Sequence, residues 1–271
     1  MFMKKDLKIA TVQADLYWED IDANLAHLEE LISAQAFEAD LIVLPEMFNT
    51  GFTHNQAVAE HMNGKTFRWM KLLATQHNCV VTGSYIIKEG GAYYNRLIWM
   101  KADGSFLFYD KRHLFRMGKE HLAFHAGDEK LIVELEGWRI CPLICYDLRF
   151  PIWSRNISHP GGSMDYDVLI YPSSWPESRH HVWNTLLPAR AIENQAYTIG
   201  VNRIGQDGNG LNYQGGSQSY GPKGFSIHNQ GTAQSVEVVT LSYEVLQGVR
   251  DRFPAHLDQD RFEIHPDLDR I

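Results

Sequence analysis

The run Trp138-Arg139-Ile140-Cys141-Pro142-Leu143-Ile144, followed at once by Cys145-Tyr146-Asp147-Leu148-Arg149-Phe150-Pro151, decides how this chain is read. Its first half is apolar enough to be a strand buried in a sheet, and its second half is polar and turn-forming. Cys145 falls at the junction. A thiol there can stand at a sheet edge beside free backbone N–H groups, the setting in which a thiolate attacks and N–H donors steady the resulting oxyanion. The competing reading is a core cysteine, because free cysteine is among the most buried residue types.

Two other strand ends bear on that choice. In Leu41-Ile42-Val43-Leu44-Pro45-Glu46-Met47-Phe48 an apolar run of buried-strand character stops at Pro45, with Glu46 next. A carboxylate at the C-terminal end of a buried strand lies where open α/β sheets hold their ligands. Desolvation there raises its pKa toward the range of a general base. In Phe106-Leu107-Phe108-Tyr109-Asp110-Lys111-Arg112-His113-Leu114-Phe115 an aromatic strand ends in a basic cluster. A protonated Lys111 near the other two groups would donate to a tetrahedral intermediate and lower the cysteine pKa. Glu46 or Lys111 alone is readily a solvated charge at a strand end; together with Cys145 the trio is not.

These three motifs, in this order, resemble those of the nitrilase superfamily of carbon–nitrogen hydrolases. The chain is most similar to its ω-amidase branch, through Asp147-Leu148-Arg149-Phe150-Pro151, Tyr171-Pro172-Ser173-Ser174-Trp175-Pro176 and Ala189-Arg190-Ala191-Ile192-Glu193-Asn194-Gln195. Gly200-Val201-Asn202-Arg203-Ile204-Gly205 and Asp207-Gly208-Asn209-Gly210 extend the match. The resemblance implies an α/β fold, a four-layer α-β-β-α sandwich with two central mixed sheets. It also implies a homodimer formed by stacking one helix layer on its mate, or a higher homo-oligomer. Catalysis would fall to Glu46, Lys111 and Cys145, with the Tyr146 N–H in the oxyanion site and Glu120 ordering the group. The implied substrate is a small ω-monoamide of a dicarboxylic acid, such as α-ketoglutaramate, with no cofactor and no metal.

Trp175 and Phe115 are candidates for the walls of the acyl pocket, each also readable as a core aromatic. The far carboxylate of such a substrate calls for an arginine. Arg149 is the candidate taken forward; Arg155 and Arg116 fit the sequence equally well. Where related sequences often carry Gly-Asp-Ser, this chain has Gly215-Gly216-Ser217.

Composition fits one enzyme domain over residues 1–271, with 44% hydrophobic residues to fill a core. The net charge of −8 and the lack of a basic tail argue against a nucleic-acid partner. Three scattered cysteines argue for a reducing compartment, with Cys79 and Cys141 as packing residues. Residues 1–8 hold no apolar signal core and no run reaches membrane-spanning length, so a cytoplasmic protein without a membrane partner is expected. His121 and His125 are four apart but form no His-Glu-x-x-His zinc motif, and adjacent His180 and His181 would point apart on a helix.

Periodicity places strands at 7–13, 41–44, 79–87, 92–100, 168–171 and 197–202, and helices at 20–34, 66–77 and 182–195. Gly90-Gly91 marks a hairpin. Residues 215–228 and 236–241 read as strands that close the sheet. The same triad would serve a nitrilase or an N-carbamoyl amino acid hydrolase. A catalytically silent binding scaffold is the reading of another class.

Overall fold

The computed structural model of the chain describes residues 5–265. The expectation for residues 1–8 therefore falls partly outside the described residues. The first half of the chain supplies β1 (Leu7–Gln13), α1 (Ile21–Ser33), β2 (Leu41–Val43), α2 (Lys65–His77), β3 (Val80–Glu89), β4 (Ala92–Met100) and β5 (Phe106–Asp110). The short α3 (Glu120–Ala123) follows. The second half supplies β6 (Val133–Leu135), β7 (Trp138–Pro142), α4 (Pro151–Ser154), β8 (Val168–Ser173), α5 (His180–Asn194) and β9 (Tyr197–Asn202). It continues with β10 (Ile204–Gln206), β11 (Asn212–Gln214), β12 (Gln218–Tyr220), β13 (Ser226–Asn229), β14 (Ser235–Leu241) and α6 (Tyr243–Arg252).

Two six-stranded mixed sheets result, ordered β14-β1-β2-β3-β4-β5 and β13-β12-β9-β8-β7-β6. Each has a parallel centre, β1-β2-β3 in one and β7-β8-β9 in the other, flanked by antiparallel strands. The sheets face each other, with helices outside. Alternation along the strands shows why the apolar runs are continuous. Leu41 and Val43 of β2 pack between the sheets with Val168 and Ile170 of β8, whereas Ile42 turns outward toward α1 and α2. Leu169 and Tyr171 likewise turn outward toward α5. Both faces of these strands are buried, so no polar residue interrupts them. Each such side chain contributes on the order of 1.5–3 kcal/mol of burial.

α1 begins at Asp20, whose carboxylate accepts from the Ala23 N–H at 3.0 Å, and it buries Leu25, Leu28 and Ile32 on one stripe. Three expectations need correction. The strand expected over 215–228 is two strands, β12 and β13. Pro222 lacks an N–H and Gly224 takes φ +79°, so a turn separates them. β14 does not continue that sheet but crosses to the other one and pairs with β1 from Leu7↔Leu241 to Gln13↔Ser235. α6 was not expected, because it buries Leu246 and Arg250 rather than an apolar stripe. The Arg250 guanidinium pairs with Asp167 at 2.7 Å and donates to the Tyr166 and Gln195 carbonyls, which anchors the helix. No helix among the described residues is long and apolar enough to cross a membrane.

Candidate active site

The parallel strands β2, β7 and β8 end at one edge, and the loops that follow them carry Glu46, Cys145 and Ser174. β5 runs antiparallel to β4, and β4 antiparallel to β3, so β5 also ends at that edge and delivers Lys111. α3 supplies Glu120 as its first residue. The site is therefore a product of strand direction, as for ligand sites of open α/β sheets.

Glu46, Lys111 and Glu120 are all fully buried. The Lys111 Nζ donates to Glu46 Oε1 at 2.7 Å and to Glu120 at 2.9 and 3.1 Å. Asn95 Nδ2 donates to Glu46 Oε1 at 2.9 Å and to Glu120 Oε1 at 3.1 Å. The Ser174 N–H donates to Glu46 Oε2 at 3.0 Å, and the Phe115 N–H to Glu120 Oε2 at 2.5 Å. The Cys145 thiol meets the Glu46 carboxylate and lies against the Ser174 N–H. The residues expected from the three motifs thus converge in space, with Glu120 beside them.

Electrostatics assign a protonation pattern. Burial raises the Glu46 pKa above the usual carboxylate range; Lys111 opposes this and Glu120 reinforces it. Burial also disfavours charge on Lys111, but Glu120 and Glu46 outweigh it and hold the ammonium above its ordinary range. The Cys145 thiol is pushed well up, first by burial and then by Glu46, against the pull of Lys111. Lys111 does lower the thiol pKa, as expected, but burial and Glu46 outweigh it. Cys145 is therefore favoured as the neutral thiol, and a thiol in that state can act as a nucleophile only if a base takes its proton.

The backbone around these residues is unusual. Cys145 takes φ +41° and Met47, next to Glu46, φ +47°. A left-handed non-glycine residue costs about 1–3 kcal/mol and persists only where its surroundings enforce it. For Cys145 they do. Asp147, fully buried, accepts from the Ile144 N–H at 3.0 Å, the His113 N–H at 3.0 Å and the Tyr109 hydroxyl at 2.8 Å. Arg190 of α5 donates to the Leu148 carbonyl at 2.7 and 3.1 Å. These bonds tie the cysteine turn to the segment after Lys111 on one side and to α5 on the other.

Above Cys145 opens a cavity of about 300 Å³. Trp175, Phe115, Tyr146 and Arg149 line it, so all of the expected substrate-side residues meet there. Arg155 and Arg116 do not; the Arg155 guanidinium instead donates to the Glu193 carbonyl at 2.7 Å. Arg179, which the sequence reading missed, joins Arg149. The Arg149 guanidinium lies 5.2 Å from the Trp175 ring centre, and that of Arg179 lies 5.1 Å from that of Phe115. Neither has a carboxylate partner among the described residues. Asp207 and Tyr213, on and beside the β10–β11 hairpin, form another wall and are bonded to each other at 3.0 Å.

Asn95 and Arg179 carried no motif signal, and Ser174 lies in a matched motif that gave it no role. For Asn95 the trace was a polar residue inside an aromatic strand, Tyr93-Tyr94-Asn95. Gly216, in the departing Gly215-Gly216-Ser217 segment, sits at φ +70° with the His180 ring only 2.5 Å from where a Cβ would stand. A side chain there would displace His180. Cys79 and Cys141 are buried, and burial pushes each thiol up to about 12, as befits packing residues.

Fold and site together define a class, a hydrolase with a buried Glu-Lys-Cys constellation at the edge of an α-β-β-α sandwich. Residues 8–251 match the carbon-nitrogen hydrolase family. The chain is 43% identical to omega-amidase YafV of Escherichia coli (strain K12) over 259 residues, covering 95% of this chain and 98% of that one. It is 30% identical to 2-oxoglutaramate amidase of Bacillus subtilis (strain 168), covering 92% and 96%. Among solved structures, XC1258 from Xanthomonas campestris, a CN-hydrolase superfamily protein with an arsenic adduct in its active site, superposes with a TM-score of 0.94 at 40% identity. That match covers 96% of this chain and 100% of the other. This chain belongs to the carbon–nitrogen hydrolase family and is an enzyme that hydrolyses carbon–nitrogen bonds.

Proposed function

We propose that the protein is an ω-amidase, releasing ammonia from the terminal carboxamide of small dicarboxylic acid monoamides such as α-ketoglutaramate and α-ketosuccinamate. The observation that carries this reading is the pairing of a closed Glu46-Lys111-Cys145 end with an open end bearing two unpartnered guanidinium groups. A carboxylate is the group that such arginines take up best. The names of the E. coli and B. subtilis relatives point the same way.

In the reaction, Glu46 accepts the thiol proton as Cys145 Sγ bonds to the amide carbon. Lys111 and the Tyr146 N–H hold the oxyanion. Protonated Glu46 then passes its proton to the nitrogen, the C–N bond breaks and ammonia leaves. Water, deprotonated by Glu46, cleaves the thioester to give the carboxylic acid and return the thiol. Glu120 keeps Lys111 charged and placed. Trp175 and Phe115 flank the acyl chain, and Arg149 with Arg179 holds its carboxylate.

Residues 1–271 are read as one domain, because β14 returns from the second half to complete the first sheet. A cytoplasmic homodimer is the matching assembly. Ile192 of α5 packs over Gly224 beside exposed Phe225 and Ile227, an apolar surface suited to a second copy.

Ammonia release from a panel tests the activity: the two keto-acid amides, glutamine, an N-carbamoyl amino acid and an aliphatic nitrile. Fast release from the keto-acid amides alone is expected. Turnover confined to the nitrile or the carbamoyl compound would keep the triad and overturn the substrate.

A further inference from the structure

The closed end of the cavity holds one more carboxylate than ammonium. Glu46 and Glu120 share Lys111, and no second cation reaches them among the described residues. Two like charges on one lysine repel, and a buried site offers little solvent to screen them. Between them stands Asn95 of β4, itself fully buried. Its carboxamide gives one N–H to each glutamate, at 2.9 and 3.1 Å, while its own backbone carbonyl accepts the Lys111 N–H at 3.0 Å. One residue thus touches all three members of the cluster.

The other face of the amide makes this more telling. Asn95 Oδ1 is buried and has no hydrogen-bond donor. Buried acceptors are rarely left so. Turning the amide over would satisfy nothing, because the oxygen would then face two carboxylate oxygens. The orientation is dictated by the glutamates, at the expense of an orphaned carbonyl. Local rules broken in this way concentrate at functional sites.

We propose that Asn95 is a positioning residue for the general base: a neutral, two-pronged donor that holds Glu46 and Glu120 on the shared lysine and keeps Glu46 ionisable beside the thiol. This rests on the reading of Glu46 as the base. An acidic residue in its place would add a third carboxylate to the cluster, and an apolar one would leave the two glutamates with Lys111 alone. The charged and titratable groups around Glu46 are Lys111 after β5, Glu120 of α3, Cys145 after β7 and Tyr213 of β11. His54 borders the Glu120–Lys111 side.

The test is the pH profile of kcat/KM for α-ketoglutaramate with Asn95→Leu, an exchange of similar volume without donors. Loss of a donor to the ionised form raises the Glu46 pKa, so the acid limb moves to higher pH. A displacement of about one pH unit is expected, equivalent to tenfold less ionised Glu46 at a given acidic pH. KM should stay within about threefold, because Asn95 lies away from the arginines of the open end. Asn95→Ser, which keeps a single donor, should move the limb the same way by less, and it serves if the leucine variant does not fold. Reduced activity with the limb unmoved in a folded variant would mean that Asn95 is merely structural, and would overturn the proposal. A Glu46→Gln variant run in parallel separates the two readings. Full activity in Glu46→Gln would sink the base assignment and this inference with it. An inactive Glu46→Gln beside an unmoved limb in the Asn95 variants would sink this inference alone.

Discussion

At the closed end of the cavity, Glu46, Lys111 and Glu120 are wholly buried, with both carboxylates bonded to the one ammonium. At the open end, Arg149 and Arg179 are only half-buried, lie over aromatic rings and have no carboxylate partner. The two ends are walls of the same cavity. Charges paired internally are held in place before substrate arrives, which suits groups that must act on a reacting atom without reorganising. Charges left unpaired and stacked on rings retain their donors for a ligand. On the proposed mechanism, chemistry and recognition are thereby separated along one cavity.

That separation can be broken from either side. The largest effect is expected from Cys145→Ala, which removes the nucleophile: turnover should fall to background, a loss on the order of 10⁴-fold or more, with the far-UV circular dichroism unchanged. Retained ammonia release in a folded, pure variant would dismantle the whole site assignment. Lys111→Met comes next. It leaves two buried carboxylates without a counter-charge, so activity should vanish and stability drop by about 3–5 kcal/mol, read by urea denaturation. A wild-type midpoint would contradict the internally paired closed end.

At the open end the loss should appear in KM. Arg149→Met and Arg179→Met, singly, should raise KM for α-ketoglutaramate by roughly 10- to 100-fold, the worth of a charge-assisted pair. Both should leave an amide lacking the far carboxylate almost unaffected. Equal losses on the two substrates would show that these arginines support the site and do not read the substrate.

The smallest expected effect is on pH dependence. The Glu46 pKa is raised, so below it the base is protonated and cannot accept the thiol proton. The value of kcat/KM should therefore rise with pH along a limb lying above the ordinary carboxylate range. A limb at or below that range would mean that burial does not govern Glu46.

Much of this was legible in the chain. Leu7–Gln13 and Tyr197–Asn202 have the strand limits that their patterns predict, because strands buried on both faces are mostly apolar runs, here interrupted by few polar residues such as Thr11 and Thr198. Glu46, Lys111 and Cys145 announce themselves as polar residues where such runs stop. α6 did not, since a buried arginine paired with Asp167 fixes it and leaves little apolar period to read. The thiol pKa was legible only in part. Sequence places Lys111 near Cys145, but the depth of burial and the nearness of Glu46, which set the thiol pKa, depend on how the two sheets close.

The order of residues along the chain alone determined which segments become buried strands and which reactive side chains stand at their ends, because burial and strand direction are written in local pattern. Tertiary structure decided what gathers around them. Asn95 reaches two glutamates, the Ser174 N–H meets Glu46 across 128 positions, and Arg179 comes beside Arg149. None of these contacts can be read from local periodicity. Each arises from strands running parallel to a common edge, which brings distant loops together by direction and register and not by nearness in sequence.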